Sequence, residues 1–499
     1  MENRQLESTG STASVHDGVE KVDAPPPKEL VVDWDGPDDP ENPKNWTYSR
    51  KWRATVVVSL FTFVSPVASS MLAPAVMSIG ADLGIHKEII LSMTISIFVL
   101  AYAVGPLFLG PLSELYGRAI VLQLCNLFFL AWCLGCGFAQ TEGQLLAFRF
   151  LSGLGGSAPL AVGGGTLGDM WAPEQRGKAI AIYSMGPLLG PVVGPIAGGW
   201  IAEKTTWRWV FWSTCIFDVV VQVVGFMWLR ETYAPVLLER KAKGIRQRQD
   251  LENGGTVQVR TIYDAKGSRD WKQLFSKALI RPFALFFTEP IAQIAGVFQA
   301  FIFGVMYLFL TSIASIFQNV YHQRIGIAGL HYISLGLGLM IAAQINARAM
   351  DAIFKSLKAK NGGVGKPEFR AIPMIPGTII LPAGIFIAGW CADQHTHWIG
   401  VDVGLALLGG GMILVFQSMQ AYIVDVYTLY AASALAAVSF WRSIAGFAFP
   451  LFAPAMWANL GYGKGATVLA CVSIAIGCPA PFLFWKYGET VRKRSKFSA

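Results

Sequence analysis

Among the few ionisable side chains in or at the start of long apolar runs of this sequence, four stand out: Arg149, Asp218, Glu289 and Arg442. A charge in such surroundings is costly unless it meets water, a partner or a ligand, so each is a candidate functional group. Glu289 begins its run beside Pro290, where a broken turn can open to an internal cavity. A partly desolvated carboxylate there can load and release a proton near neutral pH, and can attract a cation. The same residue also suits a simpler role, as an acid capping a helix N-terminus. Asp218 is a second candidate proton carrier. Arg149 and Arg442 are candidates for charge coupling, although an arginine can also be buried against backbone carbonyls for purely structural reasons. Polar and aromatic side chains accompany these charges. Gln299, Phe303 and Tyr307 are spaced by four and share one helix face, and Gln417 and Gln420 are three apart with Tyr422 nearby. Amides and phenols among aromatic rings can bind flat organic molecules of mixed polarity, and such stripes also serve plain helix packing.

Catalytic chemistry is not expected. The sequence lacks the phosphate-cradling G-x-x-x-x-G-K-[ST] and the metal-binding H-E-x-x-H, which argues against ATP as an energy source and against an enzyme. Cys133 and Cys136 have C-x-x-C spacing inside a continuous apolar run and read as filler, so no metal or cofactor is expected. The six histidines are scattered, and His395 and His397 fall in a short polar segment.

The elements that hold these groups follow from composition. Of 499 residues, 53% are hydrophobic and 14% charged, against about a quarter charged in soluble domains. Twelve runs approach the roughly 20 apolar residues that span a bilayer. They cover 54–79, 89–111, 119–139, 143–168, 178–202, 208–229, 283–312, 326–346, 372–391, 398–424, 431–456 and 465–485. The chain thus reads as an all-α integral membrane protein. A polar tail, 1–53, expected to be disordered, precedes a six-helix half, 54–229. A charged cytoplasmic linker follows at 230–282, partly helical and partly disordered, then a second six-helix half, 283–485, and a basic tail, 486–499. The first apolar run is expected to direct the chain to the membrane.

Charge sets the orientation. With a cytoplasmic N-terminus, the outer loops hold only Lys87, Lys204, Arg208, Arg324 and Lys464. Arg149 and Arg442 lie within helices, and the other 33 of 40 Lys and Arg fall on the inner side. Both termini are therefore expected in the cytoplasm. The net charge of +8 lines one membrane face, which removes nucleic acid as a partner and leaves the bilayer. Two similar halves around a central cavity are expected, and Asp169 and Asp425 hint at the repeat by ending each half's fourth helix.

Three stretches suggest how such halves would move. Gly110-Pro-Leu-Ser-Glu114-Leu-Tyr-Gly117-Arg118 joins the second and third runs. Its glycines tolerate positive φ in a short turn. Glu114 can face the positive N-terminus of a helix from the other half, and Arg118 can pair with Asp169, forming a latch at the inner rim. A plain turn flanked by topogenic charges fits equally well. The fourth run carries Arg149 in L-L-A-F-R-F-L-S-G-L-G-G-S, residues 145–157. The fifth carries Gly186-Pro187, Gly190-Pro191 and Gly194-Pro195 at four-residue intervals, hence along one face. Prolines there bend the helix, and glycines admit a close neighbour.

The loop resembles the signature G-x-L-x-D-x-x-G-R of the major facilitator superfamily, with Glu114 where the family has Asp. That substitution keeps the charge and lengthens the arm. The arginine-bearing stretch resembles the family's second motif, whose arginine is implicated in proton transfer. The Gly-Pro series resembles its antiporter motif, carried by exporters. Further stretches narrow the resemblance to the fungal drug:proton antiporter-1 branch of polyamine and multidrug exporters. They are Asp39 to Trp46, Trp207 to Trp212, Arg230 to Pro235, Phe287 to Pro290 and Tyr430 to Ala437. The resemblance implies a twelve-helix fold and proton-coupled efflux of a drug, polyamine or secondary metabolite. It also implies a monomer in the plasma membrane, although a vacuolar membrane would show the same charge pattern. A nutrient importer of the same fold and a non-transporting receptor are the alternatives.

Overall fold

The computed structural model describes residues 29–172, 175–253, 258–263, 271–493 and 495. The first 28 residues of the expected tail, parts of the linker and most of the last six residues lie outside these. Eleven helical stretches among the described residues are long and apolar enough to cross a membrane. The first six are Tyr48–Leu83, Glu88–Tyr116, Arg118–Gly137, Glu142–Met170, Arg176–Lys204 and Trp207–Trp228. Then come Pro290–Asn319, Ile325–Lys360, Pro367–Asp393, Trp398–Tyr427 and Ala431–Arg492.

The last stretch is 62 residues long and contains two spans. Gly461 interrupts it at φ 74° and ψ 170°, a conformation that glycine adopts without steric cost. The adjacent Gly463 N–H donates to Asp393 at the end of the ninth span (3.2 Å), whereas Arg492 reaches Glu368 at that span's beginning (3.3 Å). The chain therefore turns back at Gly461, and twelve spans result, six in each half.

The start of the seventh span differs from the sequence reading. Its helix begins at Pro290, not near 283, and the preceding residues form a separate helix, Trp271–Thr288. Glu289 between them is extended (φ −108°, ψ 107°). Proline offers no N–H to continue a helix and disfavours helical geometry in the residue before it, so the break belongs to this dipeptide. The inner segments also carry more order than their composition suggests. Glu29–Val32 pairs in parallel with Gln258–Thr261 of the linker, and Lys241 of the linker helix Ala234–Asn253 reaches Asp35 at 2.6 Å. Asp39 accepts the N–H groups of Asp35 (2.9 Å) and Glu41 (2.8 Å), which hold its carboxyl below the usual range.

Lipid offers no hydrophobic drive between helices, so close backbone approach must supply the packing. A Cβ at Gly411 in the tenth span would stand 2.6 Å from Leu381 Cα in the ninth, and one at Gly153 in the fourth 2.6 Å from Phe98 O in the second. On the side away from the linker the two halves touch directly. Gly326 N–H of the eighth span donates to Glu203 of the fifth (2.7 Å), and Gln318 of the seventh donates to Pro74 O of the first (3.3 Å).

Replacing Gly411 with leucine should force the ninth and tenth spans apart, at a cost of about 1–3 kcal/mol. Gly164→Ala, at a glycine with open space around it, should be neutral. Thermal unfolding and size-exclusion profiles of the detergent-solubilised proteins compare the two, and equal behaviour would refute the close-packing account.

Candidate functional site between the halves

A cavity of about 110 Å³ lies between the two halves. Its walls come from the first, second, fourth, fifth, seventh, eighth, tenth and eleventh spans, while the third, sixth, ninth and twelfth contribute nothing. Tyr102 and Pro191 face it from one half, and Phe303, Tyr307, Phe416 and Arg442 from the other. Tyr307 and Ser69 hydroxyls meet across the halves at 3.2 Å, and Tyr102 meets Ser65 at 2.6 Å. A larger cleft of about 430 Å³ lies among the seventh, eleventh and twelfth spans, but its lining, from Phe286 to Ile476, is wholly apolar. It holds no group that could orient a solute.

The Gly-Pro series of the fifth span divides its work between two faces. Gly186, Gly190 and Gly194 abut the first span, where added Cβ atoms would meet Phe63 N at 3.1 Å, Val67 N at 3.0 Å and Val67 O at 2.6 Å. Pro187 and Pro191 line the cavity, whereas Pro195 O lies against Gly329 of the eighth span at the outer contact.

The two arginines have opposite surroundings. Arg149 is 1% exposed and donates to four backbone carbonyls: Ala68 O (2.7 Å), Thr94 O (2.9 Å), Ser69 O (3.1 Å) and Ile95 O (3.5 Å). The first span's opening helix ends at Ser70, so the carbonyls of Ala68 and Ser69 belong to the last turn, which lacks intrahelical donors. Its guanidinium lies 4.6 Å from the Phe98 ring. This is the structural arrangement weighed for Arg149. Arg442 instead rests against Phe303 (4.7 Å) and Phe416 (5.2 Å), and its buried Nε has no acceptor.

Asp218 lies outside the cavity. Its oxygens accept from Asn126 Nδ2 (3.0 and 3.1 Å), which also donates to Gln222 Oε1 (2.7 Å), while Gln222 donates to Gln123 (2.6 Å). This buried chain ties the third span to the sixth. Glu289 is 3% exposed, makes no side-chain capping bond to the helix it precedes, and leaves Oε2 without a partner.

The amide stripe is only partly assembled. Phe303 and Tyr307 reach the cavity, but Gln299 is buried with neither amide atom bonded. Gln417 accepts from Asn346 of the eighth span (3.1 Å), and Gln420 is half-buried. Tyr422 is a correction: it packs on Phe484 of the twelfth span (4.9 Å), with its hydroxyl beside Gly488. Five residues separate it from Gln417, about 140° around a helix, so the two cannot share a face.

At the inner rim, Arg118 pairs with Asp169 at 3.4 Å and donates to Ser113 Oγ at 2.7 Å. Gly110 lies within the second span's helix, which runs on to Tyr116, and nothing lies within 4 Å of where its Cβ would be. The turn is therefore a single residue, Gly117 at φ 111°. Glu114 forms no hydrogen bond or ion pair among the described residues. The acid that meets a helix N-terminus is instead Glu231, at the start of the linker that follows the sixth span, which accepts from Arg118 N (2.9 Å) and Ala119 N (3.2 Å). The second half repeats the plan, with Arg370 on Asp425 at 3.0 Å.

Sequence reasoning missed Glu231 and one outer cluster. His331, at the kink of the eighth span, stacks on Phe317 (3.5 Å) and bonds Asp402 (2.9 Å) and Gln323 (2.7 Å). The available signal was a histidine and an aspartate placed four to five residues into the outer ends of two apolar runs.

The sequence profile described as the Major Facilitator Superfamily matches residues 58–450. The chain is 48% identical to "Efflux pump vrtL" of Penicillium aethiopicum, over 99% of this chain and 96% of that one. It is 39% identical to "Efflux pump radE" of Floropilus chiversii, over 94% and 86%. Among solved structures, the inward open xylose transporter XylE from E. coli superposes with a TM-score of 0.64 at 13% identity, covering 88% and 96%.

Removing the Glu231 carboxylate should leave the first two N–H groups of the third span unsatisfied, at about 1–3 kcal/mol. Glu231→Ala should lower the thermal midpoint and raise hydrogen exchange in peptides covering Arg118–Val121. Unchanged exchange there would show that water replaces the carboxylate without loss.

Proposed function

Because this chain belongs to the major facilitator superfamily, we propose that it exports small organic molecules in exchange for protons, by alternating access. The carrying observation is the cavity shared by both halves beneath a joined outer side. A solute held there would leave outward only after the few cross-half contacts at Glu203, Gln318 and Tyr307 part. Rocking of two rigid halves accomplishes that, since most polar contacts lie within a half. Curated relatives named efflux pumps support the outward direction. The unpartnered Glu114 fits a state in which its contact with the other half is released.

Glu289 is the proposed proton carrier. Its carboxyl is buried with Oε2 unpartnered, and in this reading movement of the seventh span exposes it. The break at Pro290 supplies the hinge point. Asp218, held by Asn126 outside the cavity, is a structural element in this reading. The charge distribution supports cytoplasmic termini, and we place a monomer in the plasma membrane.

Cells expressing the protein should lose a labelled compound from a panel of an aromatic acid, a polyamine, a planar cationic drug and a neutral aromatic faster than controls. A protonophore should abolish the difference. Faster accumulation would reverse the assigned direction. Glu289→Gln should cut proton-driven efflux by about a hundredfold, the scale on which one proton-transfer group counts, while keeping solute exchange across vesicles. Asp218→Asn should retain both activities. If the two variants behave alike, Glu289 is not the carrier.

A further inference from the structure

The cavity is asymmetric in charge. Fourteen residues line it, none is Asp or Glu, and the one permanent charge among them is Arg442. Its guanidinium lies over the rings of Phe303 and Phe416, at 4.7 and 5.2 Å, contacts that attract the cation without neutralising it. No protein acceptor takes any of its five donors among the described residues, and its buried Nε is left without a partner. The other buried arginine shows what a purely structural arginine looks like in this fold. Arg149 spends its donors on four carbonyls and faces no cavity. A cation held in an apolar wall without an anion is expensive, so an external anion is the natural complement.

The rest of the lining describes what carries that anion. Tyr102, Phe303, Tyr307 and Phe416 present ring faces and edges, and Met306 and Met412 present flexible thioethers. Such walls suit a flat unsaturated skeleton. The Tyr102 and Tyr307 hydroxyls, each set on a serine of the first span, offer neutral polar contacts.

From this placement, and resting on the export reading above, we propose that the transported solute is an organic anion. It is a flat aromatic or polyenic skeleton bearing a carboxylate or an acidic phenol or enol, and its oxyanion pairs with Arg442. Planarity addresses the ring faces and the charge addresses the guanidinium. A polyamine or cationic drug meets the same cation and is repelled. The charge sign also has an energetic consequence: an inside-negative potential pushes an anion outward, so potential and proton gradient act in the same direction.

The test uses the purified full-length chain and three probes of matched shape: 2-naphthoate, methyl 2-naphthoate and 2-naphthylmethylammonium. In reconstituted liposomes, naphthoate should bind about tenfold or more tightly than either partner, the scale of one charge-assisted hydrogen bond. Arg442→Gln should erase the preference of acid over ester, whereas Arg442→Lys should keep part of it. The lysine variant and the size-exclusion profile separate lost charge from lost fold. An acid-to-ester ratio unchanged by Arg442→Gln, or tightest binding by the ammonium probe, overturns the proposal. Efflux of neutral or cationic compounds without efflux of the acid sinks the anion assignment and leaves the exporter standing. Preferential acid binding through Arg442 with no movement of any compound sinks the exporter and leaves the anion site.

Discussion

A polar group within the hydrocarbon must find its partner inside the protein, and that constraint organises everything else in this chain. It is most visible where the first span's opening helix stops at Ser70. The break frees carbonyls in the last turn, and Arg149 of the fourth span supplies the donors they lack. Further bonds to Thr94 O and Ile95 O bring in the second span. One side chain thereby fixes three spans of the first half around the cavity. The negative end of the first span's helix dipole steadies the guanidinium in return.

The rim on the linker side obeys the same constraint. Arg118 with Asp169, and Arg370 with Asp425, each fasten the start of one span to the end of another within a single half. Glu231 adds a cap on the third span from the segment that leaves the sixth. These contacts tie span ends together within each half. The bonds that cross between halves are fewer and mostly single: Ser69 with Tyr307, Gln318 with Pro74, Glu203 with Gly326. Polar bonds are thus many within each half and few between them among the described residues, and the second and eleventh spans meet largely through apolar packing, a division compatible with a rocking transition.

The architecture was legible in the sequence because hydrophobic length is a coarse quantity that packing rarely overrides. The pairing of Arg118 with Asp169 could also be read from span ends. What stayed hidden depended on rotation about a helix and on non-local partners. Tyr422 shares a span with Gln417 but points about 140° away from it, toward the twelfth span, and no local pattern gave the direction of the cavity. The tail was read as disordered because its composition is polar, yet Glu29–Val32 finds a strand partner more than 200 residues away. Glu231 was hidden for the same reason: its role depends on the N-terminus of a helix 113 residues earlier. The late start of the seventh span is different, since Pro290 marks the break locally and hydrophobic length alone overrides it.

Two arginines that look equivalent in sequence thus have different work, and only their acceptors separate them. Arg149 faces a surplus of backbone carbonyls and is neutral in its demands, so the fold keeps it whatever the solute. Arg442 faces aromatic rings and the cavity, and on the proposal above its unmet donors select what enters. The arrangement also bears on coupling. In the proposed scheme a proton carrier at Glu289 and a solute charge on Arg442 stand on different spans, at the start of the seventh and on the eleventh. Direct competition for one side chain is then unnecessary. Each ligand need only favour a different state of the same rocking element, and the exchange ratio follows from that shared equilibrium.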